Sequence, residues 1–574
     1  MNSRYASKMK HTKKFLVIAL FAVFLFLRLF TDSSYTVVGG DYVKYLLMAK
    51  NFPYHTTMNN QMAANHGPFF PYAIYFFTLV FQEDHIAAFF ISLLSAAITF
   101  FILYNLFMML TNNFYVTFTV LLLFTLSVEF ISTFETGLKE SFVVMLIISS
   151  IFYYIKGVKF NNKKSIIVAS IFGGLTAITA DQVIFLFPIF ILAYLFFNYE
   201  KINLRTFSFP GLKYAIIPII VTFLFYASWT GIKVYQYSTN EYYPNSGVDG
   251  DPVSTEDFGF MELLNPRYFD DTDPALPAAF SFRIRDYAFG LGYMFNTVPF
   301  GIPRGLNFSN FERLLYPSHV VYMILIYLPL ALVALFVFIS ILKDLVKRKH
   351  IYNNVPLFVL LIFLIFLFPL TQQKTSLRYF YTSFIFLYFF IGSGLFILFK
   401  KCKIDEKFSK LRVRSMAVVI ITIMFLLLTS YWYYQNDNLA LFSKKYTLYS
   451  NTAEFINNNI GKDQGIMVQA GYNYNLQYST NRRIVGIPPE HENLLTLIDY
   501  YNVNYIVYGD FITDYYHYTE DSIEYIEDHP EKFELISSIK EEDNPELKVH
   551  SDELYIYKII KSEEKLKKEW VIVI

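Results

Sequence analysis

A glycine pair followed by an acid, "VVGGDYVKYLLMAKNF" at residues 37–52, stands directly after the first strongly apolar segment of the chain. Asp41 in that place could cap a helix with its carboxylate, or take a proton from a hydroxyl as a general base. A second acid, Glu140, opens "ESFVVMLIISSIFYY" (140–154) and carries the same two readings. It is a first-turn acid favoured by the helix dipole, or a partner to Asp41. Two carboxylates of this kind could also share a hard divalent cation such as Mg or Mn, which takes oxygen ligands. Of opposite sign are Lys374 and Arg378 in "TQQKTSLRYFYTSF" (371–384). A guanidinium fork matches two phosphate oxygens and an ammonium acts as a point charge. The bland alternative is snorkelling to headgroups, as basic residues near helix ends do. His66, before Gly67-Pro68, reads as a turn-stabilising residue first and an acid–base group second.

The elements that must position these groups are mostly apolar. The chain has 574 residues, 55% hydrophobic, 20% aromatic and 17% charged, with a mean hydropathy of +0.36. Soluble domains carry about 25% charged residues, so this balance indicates a polytopic α-helical membrane protein. A formal net charge of +1 points to no nucleic-acid partner. The lone cysteine, Cys402, excludes an intrachain disulfide and a cysteine-based metal site.

About 20 apolar residues cross a bilayer. Eleven runs qualify, near 15–31, 86–110, 114–132, 140–156, 165–180, 182–198, 214–233, 318–342, 354–371, 379–399 and 415–434. The first follows Lys8, Lys10, Lys13 and Lys14 and, with no small-residue cleavage site after it, reads as a retained anchor. With the N-terminus inside, the basic clusters at 156–164, 201–213, 343–349 and 400–414 all fall on one side, as the positive-inside rule requires. Trp229 and "SYWYY" (430–434) then stand at outer ends, where aromatic belts belong. External loops are expected at 32–85, 133–139 and 234–317. Within the first, Tyr42, Tyr45, Leu46 and Ala49 share a helical face, which suggests a short helix lying in the membrane interface. Asp181 is placed at the turn between two short spans. The long loop 234–317 holds Arg267, Arg283 and Arg285 as alternative phosphate contacts.

Residues 1–435 thus form a transmembrane domain and 436–574 a soluble α/β domain outside the membrane. In the latter, "GIMVQ" (465–469), "RIVGI" (483–487) and "VNYIVYG" (503–509) read as strands, and "EHENLLTLIDYY" (490–501) as a helix. That alternation suggests βαβ units.

Taken in order, the motifs resemble those of the C-type glycosyltransferases, most closely the dolichyl-phosphate-mannose–protein mannosyltransferase and aminoarabinose-transferase group. The resemblance rests on Asp41, Tyr42, Tyr45 and Ala49 in a "D-Y-x-x-Y-x-x-x-A" setting, and on His66, Gly67, Pro68 and Pro71 in an "H-x-P-x-x-P" type element. Gly67 stands where a second proline is common. Glu140 matches a second-loop acid, and "FGGLTAITADQVIFLFPIF" (172–190) matches a glycine-rich fifth span, with Asp181 where arginine is frequent. "TSLRYFYTSF" matches a late Arg-Tyr element, and the tail has the rhythm of an exported domain.

The resemblance implies an enzyme that moves a sugar from a polyprenyl-phosphate donor to an acceptor hydroxyl on the outer face, with inversion. The acceptor would be a protein, a lipid or a glycan. Asp41 would be the general base, with Glu140 beside it. Arg378, Lys374, Tyr379, His66 and Tyr45 would contact substrate. Some relatives use a metal and others do not, so the resemblance leaves open a divalent cation, Mg or Mn, held by Asp41 and Glu140. The setting would be a plasma membrane. Three rivals differ in what they need. A glycan polymerase or ligase would use outer arginines without Asp41. A transporter would show related halves and mid-membrane charges, which this chain lacks. A non-catalytic relative would bind glycan or protein through its tail.

Overall fold

The computed structural model describes residues 3–29, 40–53, 67–127, 130, 139–199, 211–239, 328–346, 354–367, 381–401, 450–469, 473–482, 484–488, 491–509, 520–540 and 553–560. The first part is helical: α1 (Ser3–Leu29), α2 (Gly40–Lys50), α3 (Phe69–Phe81), α4 (Asp84–Thr111), α5 (Phe114–Leu126) and α6 (Glu140–Phe160). Then come α7 (Lys163–Ala177), a 3-10 turn (Asp181–Phe185), α8 (Leu186–Asn198), α9 (Lys213–Thr239), α10 (Leu328–Val346), α11 (Val355–Phe366) and α12 (Tyr381–Lys401). Each of the first ten apolar runs overlaps a helix, while 415–434 lies outside the described residues. Among the described residues, Asp84–Thr111, Glu140–Phe160 and Lys213–Ile232 are long and apolar enough to cross a membrane. Their outward positions are apolar too, with Phe223 54% and Leu224 56% exposed, as lipid-facing side chains are.

Asparagine pairs make two of the tight turns. Asn112 takes a left-handed φ of 50° to close α4, and Asn113 accepts from the Tyr115 and Val116 amides to open α5. Asn161 and Asn162 repeat the arrangement between α6 and α7. Asparagine suits both jobs, because it tolerates the left-handed region and caps helix starts. Lys159 ties the two turns together, donating to the Met109 carbonyl at 2.7 Å in the last turn of α4.

The helical core is lined by phenylalanines. Phe24 of α1 stacks on Phe124 of α5 and tilts against Phe100 of α4. Gly173 and Gly174 let α7 meet α9 closely: a Cβ on Gly174 would stand 2.7 Å from the Phe225 ring, and one on Gly173 would strike Thr222.

The second part is a five-stranded sheet in the order β2-β1-β3-β5-β4, from β1 (Gly465–Val468), β2 (Ile484–Gly486), β3 (Val503–Gly509), β4 (Phe533–Lys540) and β5 (Glu553–Ile559). The strands β2, β1 and β3 run parallel, as crossover connections demand, and occupy the runs picked out in the sequence. The pair β4 and β5, absent from the sequence reading, adds two antiparallel strands on one side. Period-two alternation divides the residues between two cores. Ile466, Val468, Tyr505 and Val507 face the helix over 450–459, α13, and Leu476 of α14 (Asn473–Thr480). Met467, Ile506 and Tyr508 face α15 (His491–Tyr500) and Ile526 of α16 (Glu520–Asp528).

Candidate active site

Asp41 is the second residue of α2. It lies inside the first turn, not one residue before it as the capping alternative supposes; its side chain is outside the described residues. The helix itself departs from the expected interface helix. Tyr42, Val43, Tyr45, Leu46, Leu47, Met48 and Ala49 are all buried, which is more than one face. The reason is that α3, α4 and α14 cover it from different sides. An 11-residue helix is marginal on its own, so this packing holds it in place.

The cluster around α2 gathers several segments. Tyr42, Tyr45 and Leu46 meet Phe70 and Ile74 of α3, Ala87 and Ile91 of α4, and Phe142, Met145 and Leu146 of α6. Tyr45 is 2% exposed, its ring edge-on to Phe70 at 5.3 Å with the Lys139 ammonium 5.6 Å from its centre. Glu140 is the first residue of α6 and is buried, at an N-terminus where the helix dipole favours its charge. The start of the Glu140 helix and the Asp41 helix therefore belong to one apolar cluster, although about a hundred residues separate them in sequence.

The "HGPFFP" element docks on the end of the glycine-rich helix. The Phe69 amide donates to the Ile178 carbonyl at 3.3 Å. A Cβ on Gly67 would stand 2.6 Å from Thr179 Cα and closer still to the Ile178 oxygen. No proline ring fits there, which accounts for the glycine. Asp181 opens the 3-10 turn between α7 and α8, the hairpin position expected for it. His66, Lys374, Arg378, Tyr379, Arg267, Arg283 and Arg285 lie outside the described residues. The helix α12 begins at Tyr381, three residues after Arg378, and Tyr381 packs on Phe130 at 5.5 Å.

Two buried charges of the helical part escaped the sequence reading. Arg28, fully buried, sits 3.8 Å over the Phe24 ring and donates to the carbonyls of Phe24, Phe124 and Thr125 at 3.3–3.4 Å. Asp84, the first residue of α4, is 9% exposed. The signal for both was a charge inside or at the edge of an apolar run. Among the described residues, no three His, Cys, Asp or Glu side chains gather as a metal cage. Glu140, with Lys139 adjoining it, does not by itself fit a divalent cation.

The family model for dolichyl-phosphate-mannose-protein mannosyltransferase matches residues 65–230, the stretch from the "HGPFFP" element through α9. Among solved structures, ArnT from Cupriavidus metallidurans bound to undecaprenyl phosphate aligns with a TM-score of 0.53 at 10% identity, over 94% of this chain and 97% of that one. Over that length the chain shares the fold of ArnT. The archaeal oligosaccharyltransferase AglB from Archaeoglobus fulgidus, in complex with an inhibitory peptide and a dolichol-phosphate, aligns with a TM-score of 0.52 at 12% identity. That alignment spans 87% of this chain and 69% of AglB. No curated protein matches the chain in sequence. The likeness to ArnT runs through the C-terminal sheet as well as the helices, because 94% of the chain is covered.

Proposed function

We propose that the chain is an integral-membrane glycosyltransferase that moves a sugar from a polyprenyl-phosphate-linked donor to an acceptor hydroxyl on the outer face of the membrane. The observation that carries this reading is the buried cluster that holds the Asp41 helix against the start of the Glu140 helix, within a fold shared with ArnT. In the proposed reaction Asp41 accepts the proton of the acceptor hydroxyl. The oxygen attacks the anomeric carbon, and the bond from that carbon to the phosphate oxygen breaks. The electron pair leaves with the polyprenyl phosphate, whose charge Arg378 and Lys374 offset, and the anomeric configuration inverts. Single displacement needs base and leaving group on opposite faces of the sugar, and these residues come from different loops. Glu140 lends a second negative charge beside the base, which favours protonation of Asp41 as the hydroxyl is consumed. No step runs through a metal.

The eleven-span topology, the division into residues 1–435 and 436–574, and a plasma-membrane setting with the C-terminal domain outside belong to the same reading. A positioned carboxylate base contributes about 10²–10⁴-fold. Sugar release from labelled polyprenyl-phospho-sugars should therefore fall at least about 100-fold in Asp41→Asn, with its melting temperature unchanged. Equal turnover in the two proteins would move the site to Arg378 and favour a polymerase or ligase.

A further inference from the structure

The C-terminal sheet domain and the helical domain meet at a small set of charged and polar groups. Its centre is Asp84, at the start of α4. The Tyr478 hydroxyl, on α14, donates to Asp84 Oδ1 at 2.6 Å, across 394 residues of sequence. That length is the short range of a hydroxyl donating to a carboxylate. The His85 amide donates to the same oxygen at 2.9 Å. On the other side Lys50 Nζ stands 3.9 Å from Asp84 Oδ2 and 4.0 Å from the centre of the Tyr478 ring. Lys50 is the last residue of α2, the helix that carries Asp41. The remaining titratable neighbours are His85, whose Nδ1 is 4.0 Å from Asp84 and whose Nε2 is 3.2 Å from Glu83, and Tyr42. Burial first, and then the Asp84 charge, hold the Tyr42 hydroxyl above its ordinary range. Burial first, then the bond to Asp84, do the same for Tyr478, so it stays a donor at physiological pH.

We propose that Asp84 and Tyr478 are positioning residues for sugar transfer, latching the C-terminal domain to the far end of the Asp41 helix through Lys50. This rests on the function proposed above. The helix is rigid and short. From Asp41 to Lys50 it rises about 14 Å at about 1.5 Å per residue. A tilt or slide at Lys50 is therefore passed along to Asp41. Apolar packing holds α2 in place, and the Tyr478–Asp84 bond and the Lys50 contacts add directional restraints at its end. The helix α14 is built for this junction. Its Leu476 enters the sheet domain's core, while Tyr478 packs on the cluster around α2. The C-terminal domain is then part of the catalytic frame, and its role is to set where the base stands.

The test uses full-length protein in lipid nanodiscs, with Tyr478→Phe, which keeps the ring under Lys50 and removes only the hydroxyl. Asp84→Asn is the second variant. Two readouts are taken: kcat and KM with labelled polyprenyl-phospho-sugars, and amide hydrogen exchange over residues 40–50. Misplacing a catalytic group by about 1 Å can cost 100-fold. The expected result is a kcat lowered at least about tenfold in Tyr478→Phe with donor KM unchanged, faster exchange across 40–50, and a smaller effect in Asp84→Asn, whose amide oxygen still accepts. Faster exchange with unchanged kcat would overturn the positioning role, leaving a fastening only. Unchanged exchange in both variants would overturn the latch itself. If the wild type turns over no donor, the functional reading fails, and the exchange result alone then decides whether the α2 helix is pinned.

Discussion

Arg28 and Asp84 are both buried charges near helix ends, yet they are held in opposite ways. The contacts described for Arg28 are two phenyl rings and backbone carbonyls, from its own helix and from the end of α5. Asp84 is held by side chains brought from α2 and from a helix 394 residues away. A charge satisfied by backbone carbonyls braces the helices it touches and moves only if they do. A charge satisfied by side chains from distant segments couples those segments, and can report on one to the other. The two sites therefore predict different phenotypes: lost stability at Arg28, and lost turnover with stability kept at the Asp84 latch.

The largest stability effect is expected at Arg28. Thr125 belongs to the last turn of α5, whose carbonyls have no partner within the helix. Arg28→Met leaves these acceptors buried without their donor, and unsatisfied buried groups cost about 1–3 kcal/mol each. A loss of about 3 kcal/mol should appear as a melting temperature several degrees lower in detergent. Arg28→Lys should fall between, because an ammonium on a flexible stem cannot present the planar fork to two carbonyls. The contrast with Asp84 sharpens if kcat per folded molecule stays within about twofold of wild type. It breaks if kcat drops with the stability, for then Arg28 would also set the site.

Much of the helical part was legible because it obeys one rule: apolar runs of the right length become helices. The asparagine pairs at 112–113 and 161–162 could be read the same way, as a left-handed stop followed by a cap. Strands β1, β2 and β3 were visible as short apolar runs because the parallel centre of a sheet is buried on both faces. The strand β4 was missed since "FELISSIK" keeps no strict alternation and its register shifts between Leu535 and Ser537, and the short alternation of "ELYIYKI" in β5 was passed over. The candidates Asp41 and Glu140 were proposed by type and order along the chain. Asp84 was not, because its meaning depends on Tyr478, and no local pattern announces a contact 394 residues away. The surroundings of α2 were misread for the same reason. One helical face looked apolar enough for a membrane interface, but the coverings come from four separate segments, α3, α4, α6 and α14.

A middle-sized effect is expected at Gly67, where the "HGPFFP" element rests on the backbone of α7's end. The neighbours that a Cβ would meet are the Ile178 carbonyl and Thr179 Cα, neither of which can swing away as a side chain would. Gly67→Ala should cost about 1–3 kcal/mol, the usual range for overpacking. Gly67→Pro should cost more. Thermal melting measures both. This position tests whether backbone-held contacts act as Arg28 does: stability should fall while donor KM holds. A raised KM with an unchanged melting temperature would place Gly67 with the coupling residues instead.

The smallest effect belongs to a charge that is neither buried nor shared between domains. Asp521 accepts from the His491 amide at 2.9 Å, at the start of α15, and faces His491 Nδ1 at 2.8 Å. The backbone amide first, and the imidazole second, hold its carboxyl below the usual carboxylate range. A depressed folded-state value means that the contribution is fully present above the unfolded value, about 3.9, and is lost as pH falls through the folded one. Melting curves of the full-length chain and Asp521→Asn should thus differ by a small amount at about pH 5, and draw together only as pH falls below about 3.9 and through the depressed folded value. A gap that did not narrow at all as pH fell below about 3.9 would mean that the amide bond matters without its charge. Asp521 would then act as the Arg28 carbonyls do, by geometry. Convergence would mark it as an exposed charge whose worth depends on ionisation, the limit from which burial turns Asp84 into a latch.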